Sequence, residues 1–213
     1  KQAENFMKMF LSVAKDLRVI IIKFADRLHN MSTIEHLPLI KQRRIAIETR
    51  DVYAPLAHRL GMNRLKIELE DLVLKTLEPV EYQNLYKKIK ATRKQREKYI
   101  DEFSKPIKSE LSTFNIKNEI KGRAKHYYSI HGKMVKRNKS FEDIYDIMAV
   151  RIITGQKKDC YTAMGIIHEV YTPIHERFKD FIASPKGNGY QSLHTTVFGM
   201  NGRMVEVQLR TEE

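Results

Sequence analysis

The chain has 213 residues, enough for one large domain or two small ones, and 42% of them are hydrophobic, so a proper core can form. Its net charge of +13, from 39 basic and 26 acidic residues, points to a polyanionic partner without choosing among nucleic acid, nucleotide and anionic lipid. One cysteine, Cys160, excludes an internal disulfide and a cysteine-built metal site and favours a reducing compartment, the cytoplasm. The longest apolar run, residues 19–22, is far short of the roughly 18–20 residues of a membrane span. There is no signal-peptide pattern. The first residue is Lys1, and helical periodicity is already running at Phe6, Phe10 and Val13, which reads as a segment of a longer protein.

Residues 1–78 read as mostly helical, with Pro38 and Pro55 punctuating the earlier helices. Leu65, Leu69, Leu72 and Leu77 follow helical spacing, and Pro79 stops that helix. The next stretch, to about residue 103, is helical and very polar, with Lys87, Lys88, Lys90, Arg93, Lys94, Arg96 and Lys98 crowded together. It reads either as a solvated helix surface or as a binding face. Near Pro106 the pattern changes. Period-two alternation appears at 115–120, 147–154, 193–198 and 204–209, with helical patterns at 126–137 and around Ala163, Ile166, Ile167 and Val170. Asn201-Gly202 between the last two strands is a strong hairpin signal. The expected architecture is α+β, with all-helical residues 1–78, a helical connector 79–105, and a mixed α/β domain over 106–213.

Four groups in the last part carry chemistry. From Lys121 to Lys139 the chain has seven basic residues and no acidic one. Lys125, Ser129 and Lys133 share one face of a helix at four-residue spacing, and Gly122 and Arg123 precede its positive end, where phosphate is welcome. A basic surface helix accounts for the same spacing. The strand 203–210 puts Glu206, Gln208 and Arg210 on one face and Val205, Val207 and Leu209 on the other. Asp146 stands at the start of the strand 147–154. Two carboxylates on neighbouring strands can hold a Mg²⁺ that bridges phosphates, though each alone also reads as a surface or ion-paired acid. In the segment FKDFIASPKGNGYQSLHTT, Pro185, Gly187 and Gly189 constrain a loop. That loop offers Lys186 and Asn188 to phosphate or base and Tyr190 to a nucleobase. His194, in a strand pattern with Thr196 and Phe198, reads as structural or catalytic.

Together these segments resemble the synthetase domain of the RelA/SpoT family, the (p)ppGpp synthetases. The carriers are GRAKHYYSIHGKM (122–134), DIYDIMAVRI (143–152), RFKDFIASPKGNGYQSLHTTV (177–197) and VEVQLRT (205–211), in the family's order and spacing. The resemblance implies a nucleotidyltransferase-like α/β domain that moves pyrophosphate from ATP to the 3′-hydroxyl of GDP or GTP, giving (p)ppGpp and AMP in the bacterial stringent response. It implies Asp146 as the principal Mg²⁺ ligand, Glu206 as the second acid, and Tyr190 stacked on guanine. Arg123, Lys125, Ser129 and Lys133 would bind phosphates, and Lys179, Lys186, Asn188, His194 and Gln208 would complete the nucleotide contacts. The basic form of RFKD (177–180) resembles members that both make and degrade the alarmone.

The first part agrees. KFADRLHNMST (23–33) resembles the last metal motif of the family's HD-type hydrolase, with Asp26 a Mn²⁺ ligand and Asn30 and Thr33 lining the same pocket. The other ligands of such a site have no counterpart here, where the first histidine is His29, so this stretch is not expected to hydrolyse the alarmone. Ribosome or tRNA contacts would come only through parent domains outside this chain, and no membrane partner is expected. A non-catalytic nucleic-acid-binding module is the alternative that the charge supports, although Asp146 and Glu206 would repel a phosphate backbone. A nucleotidyltransferase releasing pyrophosphate is the second.

Overall fold

The computed structural model describes residues 16–123, 125–138, 140–141 and 148–212. The chain divides into two units, residues 1–82 and 83–213.

The first unit is helical over its described residues. Asp16 caps α1 (Leu17–Ser32) by accepting from the Arg18 amide at 2.9 Å. Pro38 precedes α2 (Leu39–Glu48), and a π-helical turn, Thr49–Tyr53, leads into α3 (Ala54–Arg59) with Pro55 near its start. The widened turn falls just ahead of the proline, which has no amide hydrogen to keep an ordinary helical ladder going. The long helix α4 (Asn63–Leu77) packs against α1, α2 and α3. Its buried face centres on Leu69, Val73 and Leu74, against a core that includes Ile20, Phe24, Met31, Ala46 and Ala57. Phe24 meets Tyr53 edge-on at 6.3 Å, and the Arg27 guanidinium lies 4.1 Å over the Tyr53 ring.

The division between the units falls within α5 (Pro79–Ala91), and the second unit continues with α6 (Arg93–Thr113). Helix α6 runs through Pro106, where the sequence pattern suggested a change of structure. The reason lies in its buried stripe. Tyr99, Phe103, Ile107 and Leu111 recur every four residues and sink into the core, so packing outweighs the cost of one interior proline.

The sheet has five strands in the order β1-β2-β5-β4-β3. They are β1 (Asn118–Gly122), β2 (Ala149–Thr154), β3 (Lys179–Asp180), β4 (Leu193–Phe198) and β5 (Met204–Thr211). Only β2 and β5 pair in parallel; the other three pairings are antiparallel. Helix α7 (Tyr127–Arg137) follows β1, and α8 (Lys157–Val170) follows β2. One sheet face carries Val150, Ile152, Leu193, Val197, Val205, Val207 and Leu209, all buried with the stripe of α6 and with Cys160, Ala163 and Ile167 of α8. Tyr171 and Phe103 stack at 4.4 Å inside this core.

The β4–β5 hairpin turns at Asn201 and Gly202, both with positive φ (57° and 67°), and the Arg203 amide donates to the Met200 carbonyl. That is the mirror-image turn favoured by the right-handed twist of hairpins, and Asn-Gly is its preferred pair. The turn brings Gly199 against α6, where a Cβ would sit 2.6 Å from the Tyr99 hydroxyl and 3.1 Å from the Phe103 ring.

Candidate active site

Alternation along β5 fixes the centre of the site. Val205, Val207 and Leu209 are fully buried in the core, so Glu206 and Gln208 stand on the opposite face. The Lys125 ammonium reaches Oε2 of Glu206 at 2.8 Å. Gln208 donates to Oε1 at 2.9 Å, and Arg123 lies 3.8 Å from the same oxygen. Burial by itself would raise the Glu206 pKa. The charge and hydrogen bond of Lys125, the hydrogen bond from Gln208 and the charge of Arg123 together outweigh it, and the carboxyl is held below its usual range. Glu206 is therefore an ionised carboxylate under a cluster of cations.

This pairing corrects one expectation. Lys125 does not line a helix face with Ser129 and Lys133, because α7 begins only at Tyr127, after His126. Lys125 precedes the helix and is drawn under the sheet, with 5% of its side chain exposed, by the carboxylate of Glu206. Ser129 lies in the first turn of α7 and Lys133 one turn further on.

Register assembles the rest of the face. Lys179 pairs with His194, His194 with Gln208, Gln208 with Arg151, and Arg151 with Lys121, so one row crosses all five strands. Three of these five were candidates from sequence. Arg151 was missed: on an alternating apolar strand, one arginine reads as an ordinary solvated residue. In the fold it is half-buried, its Nε has no partner, and burial chiefly, then the charge of Arg123, lowers its pKa. A cation partly withdrawn from water beside other cations is well placed to pair with an anion.

The loop after β3 supplies the aromatic part. Asp180 accepts from the amides of Ile182 and Ala183 at 2.9 and 2.8 Å and from the Tyr161 hydroxyl at 3.0 Å, which ties the loop's start to α8. Asn188 accepts from the Tyr190 amide, and Gly189 takes a positive φ of 75°. The Tyr190 hydroxyl and His194 Nε2 are 2.9 Å apart, and both rings meet Phe181 edge-on. The Lys186 ammonium lies 4.5 Å from the Phe181 ring centre and 5.4 Å from that of Tyr190. Burial above all, against the pull of Glu206 and with the push of Lys186, Arg123 and Lys179, lowers the His194 pKa to about 4. His194 is neutral at physiological pH and serves the Tyr190 hydroxyl as a hydrogen-bond partner.

Asp146 lies outside the described residues. In the sequence it stands three positions before Ala149, the first residue of β2, which runs parallel beside β5 with Ala149 in register with Glu206. In the first unit Asn30 donates to Asp26 at 3.2 Å across one helical turn, while the Thr33 hydroxyl turns to the His29 carbonyl. Among the described residues no three His, Cys, Asp or Glu side chains gather as a metal site, and no helix is long and apolar enough to cross a membrane.

On one face of this mixed sheet an ionised acid stands beside Lys125 and Arg123, with Arg151 on the neighbouring strand. Residues 122–213 match the region found in RelA/SpoT proteins, and residues 1–63 match an HD domain. Over its whole length the chain is 50% identical to a GTP pyrophosphokinase of Myxococcus xanthus and 51% identical to a probable guanosine-3′,5′-bis(diphosphate) 3′-pyrophosphohydrolase of Synechocystis, covering 28% of each. It thus spans just over a quarter of the length of these curated relatives. A crystal structure of small alarmone synthetase 1 from Bacillus subtilis, bound to its product pppGpp, aligns with 61% of this chain and 74% of its own at a TM-score of 0.44 and 23% identity. The chain thus matches a fragment of a RelA/SpoT protein along its whole length.

Proposed function

We propose that the second unit transfers the pyrophosphoryl group of ATP to the 3′-hydroxyl of GDP or GTP, forming (p)ppGpp and AMP. The observation that carries this reading is the placement of Glu206 on β5: ionised, under Lys125 and Arg123, and in parallel register with the strand that follows Asp146. The names of the relatives, a GTP pyrophosphokinase among them, support it.

In the reaction the guanosine 3′-oxygen attacks the β-phosphorus of ATP, the bond from that phosphorus to the α–β bridging oxygen breaks, and AMP departs. Glu206 takes the proton of the 3′-hydroxyl. Tyr190, braced by His194 and Phe181, offers its ring to guanine. Lys125, Arg123, Arg151, Lys179, Lys186, Ser129 and Lys133 hold the phosphates, with Asn188 and Gln208 completing the nucleotide contacts. Little covalent help is needed; positioning and charge neutralisation lower the barrier. Glu206 is an ionised oxygen donor, a group that suits a divalent cation once substrate phosphates have engaged Lys125 and Arg123. Mg²⁺ held by Asp146 and Glu206 would neutralise charge on the transferred group.

The first unit, in this reading, comes from an HD-type hydrolase that removes the 3′-pyrophosphate in the whole protein, with Asp26 as a Mn²⁺ ligand and Asn30 holding its carboxylate. Asp26 alone is one ligand where such sites need about three. Hydrolysis therefore belongs to the longer protein, which acts in the cytoplasm.

The test is to incubate the chain with Mg²⁺, GDP and ATP labelled on its γ-phosphate. Label should appear in guanosine tetraphosphate with an equal amount of AMP, and should vanish in Asp146→Ala. Label released as free pyrophosphate would instead establish nucleotidyl transfer and overturn the reading.

A further inference from the structure

Helix α8 packs Cys160, Ala163 and Ile167 into the core, but two of its side chains reach the edge of the sheet instead. Tyr161 and His168 lie two turns apart, on one side of the helix. The transfer chemistry assigns a role to neither. The strand they meet is poorly held by its own ladder. β3 is two residues long, stands at the edge and pairs only with β4, Lys179 with His194 and Asp180 with Leu193. So short a pairing is a weak hold on direction.

Alternation puts Lys179 on the transfer face and turns Phe178 and Asp180 the other way, towards α8. The Tyr161 hydroxyl lies 3.0 and 3.3 Å from the two carboxylate oxygens of Asp180. Oδ1 of that carboxylate also accepts from the amides of Ile182 and Ala183. His168 Nε2 and the hydroxyl of buried Thr195 on β4 are 2.9 Å apart, which fixes the imidazole. Its ring meets that of Phe178 edge-on at 6.4 Å. Helix α8 therefore grips the strand on both sides of Lys179. Phe181, the next residue after Asp180, carries the grip onward. Its ring meets those of Tyr190 and His194 at 6.2 and 5.3 Å and lies 4.5 Å from the Lys186 ammonium.

We propose that Tyr161 is a positioning residue for the guanosine side of the transfer site, with His168 and Phe178 as a second anchor. It holds Asp180 from behind the sheet, so that Phe181 backs the Tyr190 ring and Lys179 faces the substrate. Tyr161 itself touches no nucleotide. The inference rests on Tyr190 as the guanine platform, and so on the proposed function.

The test is Tyr161→Phe in the whole chain. It removes one hydroxyl from a side chain that is 43% exposed, so the melting temperature should not change. The KM for GDP should rise about tenfold, with kcat and the KM for ATP within about twofold of wild type. Deuterium exchange at the amides of Ile182 and Ala183 should quicken, because their acceptor is no longer held. Phe178→Leu, at the other anchor, should move the KM for GDP in the same direction. Calorimetric titration with GDP alone separates this inference from the reaction. A wild type that binds GDP but transfers nothing would overturn the proposed reaction, while weaker binding in Tyr161→Phe would still support the positioning role. Unchanged GDP affinity in Tyr161→Phe would overturn that role. So would equal losses for both substrates with a lower melting temperature, which would make Tyr161 a support of the fold alone. A wild type that binds no GDP would overturn both.

Discussion

Lys125 and Glu206, 81 positions apart in the chain, meet at 2.8 Å with 5% and 20% of their side chains exposed. The carboxylate is too sheltered to be left without this partner. Lys125→Ala should destabilise the fold by roughly 1.5–3 kcal/mol and abolish transfer. Adding Glu206→Gln should recover part of the stability but none of the activity, because the uncompensated charge is then gone. Urea denaturation of the two single variants and the double variant measures the coupling. Since the Glu206 pKa is depressed in the fold, its contribution is present above the unfolded carboxylate pKa and is lost as pH falls through the folded value.

His194 makes a second pH prediction. Its pKa falls from 6.5 to about 4 on folding, chiefly through burial. The unfolded chain therefore takes up a proton at higher pH than the native one. Stability from this group is complete above pH 6.5 and is lost as pH falls from there to about 4. The imidazole proton signals of His194 should titrate near 4, and His194→Gln should flatten the stability profile across that window. A midpoint near 6.5 would show the ring to be solvated and its bond to Tyr190 absent.

Tyr190 separates stacking from hydrogen bonding. Tyr190→Ala should raise the KM for GDP more than that for ATP, by the roughly 1–3 kcal/mol of a base stack. Tyr190→Phe keeps the ring and loses only the 2.9 Å contact with His194, so its effect should be smaller. Equal changes in both Michaelis constants would remove Tyr190 as the guanine platform.

Gly199 tests the packing of the hairpin on α6. A Cβ there would come 2.6 Å from the Tyr99 hydroxyl. Gly199→Ala should lower stability by about 1–3 kcal/mol, and Tyr99→Phe, which clears the hydroxyl, should relieve part of the loss. Melting temperatures of the single and double variants provide the readout.

Some of this was legible in the sequence. Strand β4 falls where alternation put it, and the buried Val205, Val207 and Leu209 follow from period two alone. Asn201-Gly202 declared its turn. What the sequence hid depends on partners distant along the chain. Helical spacing assigned Lys125 to a face that its carboxylate partner overrides. Arg151 gained meaning only when parallel register set it beside Gln208. The two-residue strand β3 is too short to leave a period, and the Tyr161–Asp180 bond that steadies it spans 19 positions.

Strand β5 is the last of the five to be synthesised, yet it stands at the centre of the sheet. Without it, β1 and β2 form one pair and β3 and β4 another, with nothing to join them, and isolated two-stranded pieces are marginal in water. The strand that closes the sheet also carries Glu206 and Gln208. The joining of the two pairs into one sheet and the placement of Glu206 therefore come with the same eight residues.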